Sequence, residues 1–529
     1  MFLHKTVKKV GNKIYNSYLI QESYRENGKV KHRTIANLSK LPLEIINEIA
    51  KLLKEGIVIN KLSDIKELKQ KQGKNYGALK VIYEIAKELN ITNVLGISNK
   101  GLLALIIIAG IIIIHKSKYH ISNFWAKEQA ISEVLNFTNK FNEDDLYETL
   151  GWLSENQNEI ENKLYKYSKN RENTMFMYDI TSSYVYGNKM DLTDWGYNRD
   201  KKNGTKQIVI GLLTDKNGDP VSVEVFKGNT LDYKTVENQL KKIKERFNVK
   251  EIVFIGDRGM IKSEQIEKIE ENKWKYITAI TKSQIEKLVN EKVIDMSLFD
   301  EKLCEIEYKN NRYIFRKNPV REKEILENFK EKEKFIKVKL EKANDYLRKH
   351  KKAKVETKIK ELRKIIENRK IIGYEVENNN NELILIRKQE IINEYFKLAG
   401  CYCLKTNVSA EELDKEKVHE KYKDLFKVEQ AFETLKTGLL NVRPIFLRKE
   451  AHIRGHVFAC FLALKITKYI ENKCKSLNLP LSHIIKTLDN IQYIENILNG
   501  KSFKTIPQEL NDDQSNILKS LNIKLPTHL

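Results

Sequence analysis

The sequence predicts an α/β protein: a mixed sheet flanked by helices, with an inserted α+β subdomain and a mainly helical, basic N-terminal region. Three observations carry that reading. Between residues 174 and 281, short apolar runs of strand character and helical patterns follow one another as three strands, helix, strand, helix, strand. Residues 283–400 break this alternation, and within them residues 321–370 are rich in Lys and Glu. Residues 78–170 read as helices throughout, with few turn signals.

Composition narrows the class of partner. The 529 residues hold 95 Lys and Arg against 72 Asp and Glu, a net charge of +23. That length suggests roughly two to four domains. The excess positive charge favours a polyanion, nucleic acid first, although a codon bias towards Lys, Asn and Ile gives the same balance. Five cysteines, with no Cys-x-x-Cys pair, exclude a disulfide framework and zinc-finger spacing and fit a reducing cytoplasm. The start, "MFLHKTVKKVGNKIYNSYLI", is basic but lacks the unbroken apolar region of a signal peptide. The most apolar run, "LLALIIIAGIIII" (102–114), is 13 residues long, where a spanning helix needs about 20. It reads as a buried core helix, and no membrane is expected.

The elements follow in order. "KIYNSYLIQESYRENGKVKHRTIANLS" alternates apolar and polar residues on both sides of Asn27-Gly28, a hairpin signal. "LPLEIINEIAKLLKEG" is a helix ending at Gly56. Residues 1–77 are thus a compact hairpin and helix module. Residues 1–80 carry 17 Lys or Arg against 7 Asp or Glu, which marks the module as a candidate for DNA binding or as a solvated positive surface. Residues 78–170 form a helical domain, a candidate for binding DNA ends. "TMFMYDIT" (174–181), "KQIVIGLLTD" (206–215) and "PVSVEVFKG" (220–228) are strands, the last two joined by "KNGD". A helix over 232–247 follows, with Thr230 or Asp232 available as its cap. Next come a buried strand "EIVFIGD" (251–257), a helix from about 263, and a strand "KYITAIT" (275–281).

Within the insertion, 303–316 reads as a hairpin around "KNNR". Apolar positions from Ile325 to Ile366 recur at steps of three, four and seven, giving two amphipathic helices able to pair antiparallel. "ELILIRK" and "CYCLKT" return to strand. "YKDLFKVEQAFETLK" (422–436) reads as one helix, an apolar helix "HIRGHVFACFLALKITKYI" follows it, and 476–529 is a helical tail. Residues 171–282 and 401–475 then make the sheet domain around the 283–400 insertion.

Three acids stand out. Asp179 closes the first strand of the meander and Asp257 closes the later buried strand, positions where α/β sheets gather reacting groups and where turn residues are also common. Glu429 lies on the apolar stripe of Leu425, Val428, Phe432 and Leu435. A carboxylate there needs a partner, either a salt bridge, as with Lys436, or a cation, unless it lies at a helix end more open than the apolar stripe suggests. Three converging carboxylates repel, and hard divalent ions such as Mg²⁺ or Mn²⁺ relieve that repulsion. Two such ions about 4 Å apart suit phosphodiester displacement.

The order three strands, helix, strand, with acids on the first and fourth strands and a third acid on a later helix, resembles the RNase H-like fold of DDE transposases. The resemblance is to those of bacterial insertion sequences in the branch marked by Tyr-(2)-Arg-(3)-Glu-(6)-Lys. Tyr422, Glu429 and Lys436 fall at those spacings, while Leu425 occupies the Arg position. "GYNRDKKNGTKQIVIGLL", "VEVFKGNT" and "GDRGM" also resemble segments of the family, and the similarity extends over about residues 1–475. It implies that Asp179, Asp257 and Glu429 are catalytic and bind two Mg²⁺ or Mn²⁺ ions. It implies that the protein binds terminal inverted repeats, cuts the DNA ends and joins the freed 3′-hydroxyl to target DNA. Tyr422 and Lys436 would grip the backbone near the scissile phosphate, with Lys423 or Lys427 standing in for the missing Arg. The insertion corresponds to structure that covers the active site. A dimer is expected on DNA, in the cytoplasm and associated with the nucleoid. A catalytically inactive DNA-binding relative and a nuclease without strand transfer are the alternatives.

Other residues add less. Arg199, Lys201, Lys202 and Lys206 form a basic loop, flexed by Gly196 and Gly204, suited to phosphate or simply exposed. Arg258 follows Asp257 and either touches DNA or balances the carboxylates. His452 and His456 share a helix face without a third ligand. Cys401 and Cys403 read as core, and Trp195 and Trp274 as core or as base-stacking platforms.

Overall fold

The computed structural model describes residues 1–10, 13–26, 29–39, 41, 43–54, 69–168, 174–187, 190–197, 199, 202, 204–247, 249, 252–299, 303–350, 352–380, 382–436, 440, 442–443, 445–498, 501–507 and 509–529. The chain divides into two compact units. One comprises 1–80, 128–136 and 486–529, and the other 81–127 and 137–485. The helical stretch expected over 78–170 is therefore not a unit of its own.

In the first unit, β1 (Phe2–Val10), β2 (Lys13–Glu26) and β3 (Lys29–Asn37) form an antiparallel meander, with β2 and β3 flanking Asn27-Gly28 as the sequence predicts. Helix Leu43–Lys54 covers one face through Ile46 and Ile49, packed on Ile20 and Leu38. β4 (Lys69–Asn75) was not expected, because "KQKQGKN" has no apolar alternation to mark it.

The larger unit is built on one eight-stranded sheet. Its strands are β5 (Met175–Tyr184), β6 (Gln207–Asp215), β7 (Pro220–Lys227), β8 (Val253–Gly256), β9 (Lys275–Ala279), β10 (Cys304–Tyr308), β11 (Asn311–Lys317) and, beyond an excursion, β14 (Cys401–Thr406). The spatial order is β10-β11-β14-β9-β8-β5-β6-β7. β5, β6 and β7 form an antiparallel meander, whereas β8 pairs parallel to β5 and β9 parallel to β8. This is the RNase H-like strand order, a mixed sheet flanked by helices. Phe176, Tyr178, Phe254 and Tyr276 pack one face against Val236 and Leu240 of helix Asp232–Lys241 and Ile269 of helix Ser263–Glu271. Helices Phe426–Lys436 and Glu450–Cys474 lie against β5 and β7.

The apolar run at 102–114 lies in helix Asn99–Ile113, which is buried almost all round, as expected of a core helix. Among the described residues no single helix is long and apolar enough to cross a membrane. Helix Glu450–Cys474 crosses helix Glu143–Tyr167 at Gly455, where an added Cβ would stand 1.8 Å from the Leu150 carbonyl oxygen. Only a glycine permits that approach.

The insertion differs from expectation in one respect. Its hairpin is not a separate subdomain but extends the main sheet, as β10 and β11, through a two-residue turn of Lys309 and Asn310, both at positive φ (49° and 58°). Beyond it, helices Pro319–Lys349 and Val355–Asn368 pack against each other and on the hairpin β12 (Tyr374–Asn379) and β13 (Glu382–Arg387). Phe329, Ile336, Leu362, Val376 and Leu383 make that core. The excursion leaves and rejoins the sheet at one place: Lys317 on β11 lies opposite Cys401 on β14, and the Asn318 amide donates to the Gly400 carbonyl over 2.8 Å.

The tail over 476–529 is not wholly helical. Between helices Leu481–Asp489 and Asp512–Leu521 it forms β15 (Gln492–Leu498) and β16 (Lys501–Thr505), and β15 pairs with β4 in the first unit. The dipeptide between these strands, Asn499-Gly500, is a hairpin signal that the helical reading passed over.

Candidate active site

Strand register brings the two aspartates together. Tyr178 on β5 pairs parallel with Gly256 on β8, so the next residues, Asp179 and Asp257, emerge as neighbours. Asp257 follows the last residue of β8, as expected. Asp179 does not close its strand: β5 continues to Tyr184, because Ile180 to Ser183 still have ladder partners on β6.

The third acid arrives differently from the sequence reading. Residues 422–436 are not one helix. A first helix, Lys415–Lys423, ends at Asp424, and a second starts at Phe426. The restart rephases the apolar stripe onto Val428, Ala431, Phe432 and Leu435, which are buried against the sheet. Glu429 is exposed in the first turn of the second helix and faces the cleft, so the premise that it sits on the buried face is corrected. Leu425 is half-buried in the break and does not line the cleft.

Asp179, Asp257 and Glu429 line one open cleft of about 590 Å³. Asp232 and Glu433 add two more carboxylates, and Arg199, Lys436 and Arg443 supply the cations. Burial pushes the Asp179 carboxyl up to about 7; the Ile180 amide and Arg199 oppose the shift, and Asp257 and Glu429 add to it. Among the described residues no three His, Cys, Asp or Glu groups stand close enough to chelate one ion as they are. The three acids therefore share a cleft rather than a formed coordination sphere. As a donor set they still fit a hard divalent cation: all three ligands are carboxylates, and the anionic form of Asp179 is disfavoured by burial and by the other two acids, a load that a cation relieves.

The remaining site residues separate into three groups. Arg199 is held at the cleft: its Nη2 donates to Asp232 Oδ2 over 2.6 Å, and its amide donates to Ser182 Oγ over 3.0 Å. Asp232 thus serves Arg199 and not the helix, whose cap position is taken by Leu231 without a side-chain bond. Lys436 lines the cleft. Tyr422 is turned to Asp257, its Oη donating to Oδ1 over 3.2 Å, and the backbone amide of Arg258 donates to the same oxygen over 2.7 Å. Lys202 lies by a cluster of rings: its Nζ donates to Tyr186 Oη over 2.8 Å and sits 4.6 Å from the Tyr184 ring centre. Lys201 lies outside the described residues. Gly196 serves close approach: a Cβ there would meet the Gly228 carbonyl oxygen at 2.2 Å.

Neither proposed stand-in for the missing Arg lines the cleft. Lys427 is paired with Asp424 at 2.9 Å and reaches the Lys216 carbonyl, while Lys423 is exposed. The guanidinium groups in the cleft come instead from Arg199 and Arg443. Arg443, Asp232 and Glu433 were missed as cleft residues, and no local pattern marks Arg443 in "NVRPIF". His452 stacks on Tyr147 and His456 lies half-buried beside Cys460, which leaves them as packing residues. Cys401 and Cys403 are core, as expected, and Trp274 is buried while Trp195 is 59% exposed.

Comparison with known proteins adds an independent line. Residues 173–466 match the family model of the transposase DDE domain, and residues 3–57 match that of the IS1634 family transposase N-terminal domain. No curated protein matches the chain. Among solved structures, a piggyBac transposase synaptic complex with hairpin DNA is 10% identical, over 74% of this chain and 79% of that one, with a TM-score of 0.33. A Mos1 transposase paired-end complex with the left transposon end is 12% identical, over 45% and 68%, with a TM-score of 0.15. Superpositions that loose carry no argument about the site.

Proposed function

The chain belongs to the family of the transposase DDE domain, and from that premise we propose that it binds the terminal inverted repeats of an insertion sequence, cuts the DNA at those ends and joins the 3′-hydroxyl to target DNA. The observation that carries the reading is the cleft itself, where acids from two adjacent parallel strands and from a helix 172 positions further on line one space beside three cationic side chains.

Asp179, Asp257 and Glu429 are the residues that would hold Mg²⁺ or Mn²⁺, two ions per site, and ions bound there would supply Lewis-acid activation of phosphodiester oxygens. The chain's other groups bind and orient DNA. Lys436, on the last turn of the Glu429 helix, takes a phosphate as a point charge. Arg199, fixed by Asp232, presents a guanidinium whose planar fork suits phosphate oxygens. Arg258 and Lys202, with Lys201 next to Lys202 in sequence, are further cations for the DNA backbone. Two DNA ends must meet, so the working form is a dimer on DNA, active in the cytoplasm at the nucleoid.

Labelled terminal DNA incubated with Mg²⁺ tests the reading. Wild-type protein should cleave and join strands. Asp179→Asn, Asp257→Asn and Glu429→Gln should each lower cleavage by about 100-fold or more while retaining DNA binding. Cleavage without joining would make the protein a nuclease, and binding with no Mg²⁺-dependent cutting would make it an inactive binding module.

A further inference from the structure

Asp257 is held asymmetrically. Its Oδ1 accepts two hydrogen bonds, from the Arg258 amide at 2.7 Å and from Tyr422 Oη at 3.2 Å. Among the described residues, Oδ2 has no hydrogen-bond partner. The carboxylate follows directly on a buried strand end, Phe254 to Gly256, yet is itself exposed. Among the described residues, these two hydrogen bonds are the ones that restrain the carboxylate's rotation. Tyr422 is well placed to do so: it occupies the last turn of helix Lys415–Lys423, which packs on β8 and β9. Its ring is half-buried, and the break at Asp424–Leu425 separates it from the helix of Glu429.

From this geometry we propose that Tyr422 is a positioning residue for Asp257 rather than a grip on the DNA backbone: together with the Arg258 amide it immobilises Oδ1 and leaves Oδ2 as the single oxygen turned out to take a divalent cation. The physical reason is that a carboxylate with one oxygen bonded twice loses the rotation that would otherwise be lost on binding the ion, and its remaining oxygen points one way. Hydrogen bonds to a ligating carboxylate from outside the coordination sphere commonly change metal affinity by about 10- to 100-fold. The proposal rests on the reading of the cleft as a metal site, and it departs from the role that the family resemblance implies for Tyr422.

The test measures Mn²⁺ uptake by the full chain, without DNA, from the loss of the free-ion signal in electron paramagnetic resonance. Tyr422→Phe removes only the hydroxyl. It should weaken Mn²⁺ binding about tenfold, leave the unfolding midpoint unchanged, and leave affinity for terminal DNA in EDTA unchanged. In an Asp257→Asn background the same substitution should have no further effect on Mn²⁺ binding. Unaltered Mn²⁺ affinity together with weaker DNA binding would overturn the proposal and return Tyr422 to the DNA backbone, with the metal site intact. Wild-type protein that takes up no Mn²⁺, or whose uptake survives Asp179→Asn, would overturn this proposal and the metal reading together.

Discussion

Leu425 shows what a single position in a motif can and cannot mean. The spacing of Tyr422, Glu429 and Lys436 makes residue 425 look like a vacancy for a cation. The helix break gives that residue a half-buried seat away from the cleft, and the guanidinium groups present in the cleft come from Arg199 and Arg443. Leu425→Arg should therefore leave affinity for terminal DNA within about twofold of wild type. Arg443→Ala should weaken it and reduce the slope of log K against log salt by about 1, as a titration of fluorescent DNA at several salt concentrations would show. Restored or increased affinity in Leu425→Arg would mean that the break closes on DNA. At this scale the sequence singled out three acids that line one cleft and was silent about their surroundings. Asp257 stood out at a strand end, whereas Asp179 lies inside its strand and Glu429 off the buried face, so two of the three were singled out on a local reading that the structure revises. Asp232 looked like a cap, and nothing in "NVRPIF" distinguishes Arg443 from any surface arginine, because a residue's place in a cleft depends on chain that arrives from far away.

The elements themselves were legible where their cause was local. The meander β5–β7, the buried strand β8 and the turn at Lys309-Asn310 follow from apolar runs and turn residues. The two-helix reading of 321–370 followed from periodicity. What failed was what periodicity cannot carry. β4 is polar, and its strand state comes from β15, more than 400 residues away. The break at 424–425 lies in a stretch whose apolar spacing allows a continuous helix, and packing on the sheet decides against it. Helix Glu450–Cys474 gives a sharper test of packing. Its Gly455 lies against the Leu150 backbone so closely that a methyl group has no room. Gly455→Ala, although it raises helix propensity, should destabilise the larger unit by about 1–3 kcal/mol, read as a lower urea midpoint. A gain in stability would show that the two helices separate at little cost.

Over the whole molecule, two histidines held neutral by burial contribute to the acid limb of stability. Burial, then the charge of Lys118, lowers the pKa of His456 to about 3, and burial with Arg316 and Lys423 lowers that of His419 to about 4. The unfolded chain protonates histidine near 6.5. Between those values the unfolded state binds more protons at these two histidines than the folded one, so their contribution to stability is full above about pH 6.5 and is lost as pH falls towards 4, while Asp179, raised to about 7, contributes in the opposite sense. Urea midpoints measured from pH 7 to 4 should fall, and His456→Gln should flatten that fall; an unchanged profile would locate the acid sensitivity elsewhere.

The pairing of Lys317 with Cys401 has a consequence for the molecule's history. An excursion of some eighty residues begins and ends on facing rungs of a single ladder, so its removal would leave the flanking strands a tight bend apart, with nothing to repair in between. The sheet and its acids form a complete scaffold into which such a module can be spliced, enlarged or exchanged, while the carboxylate-bearing strands keep their register.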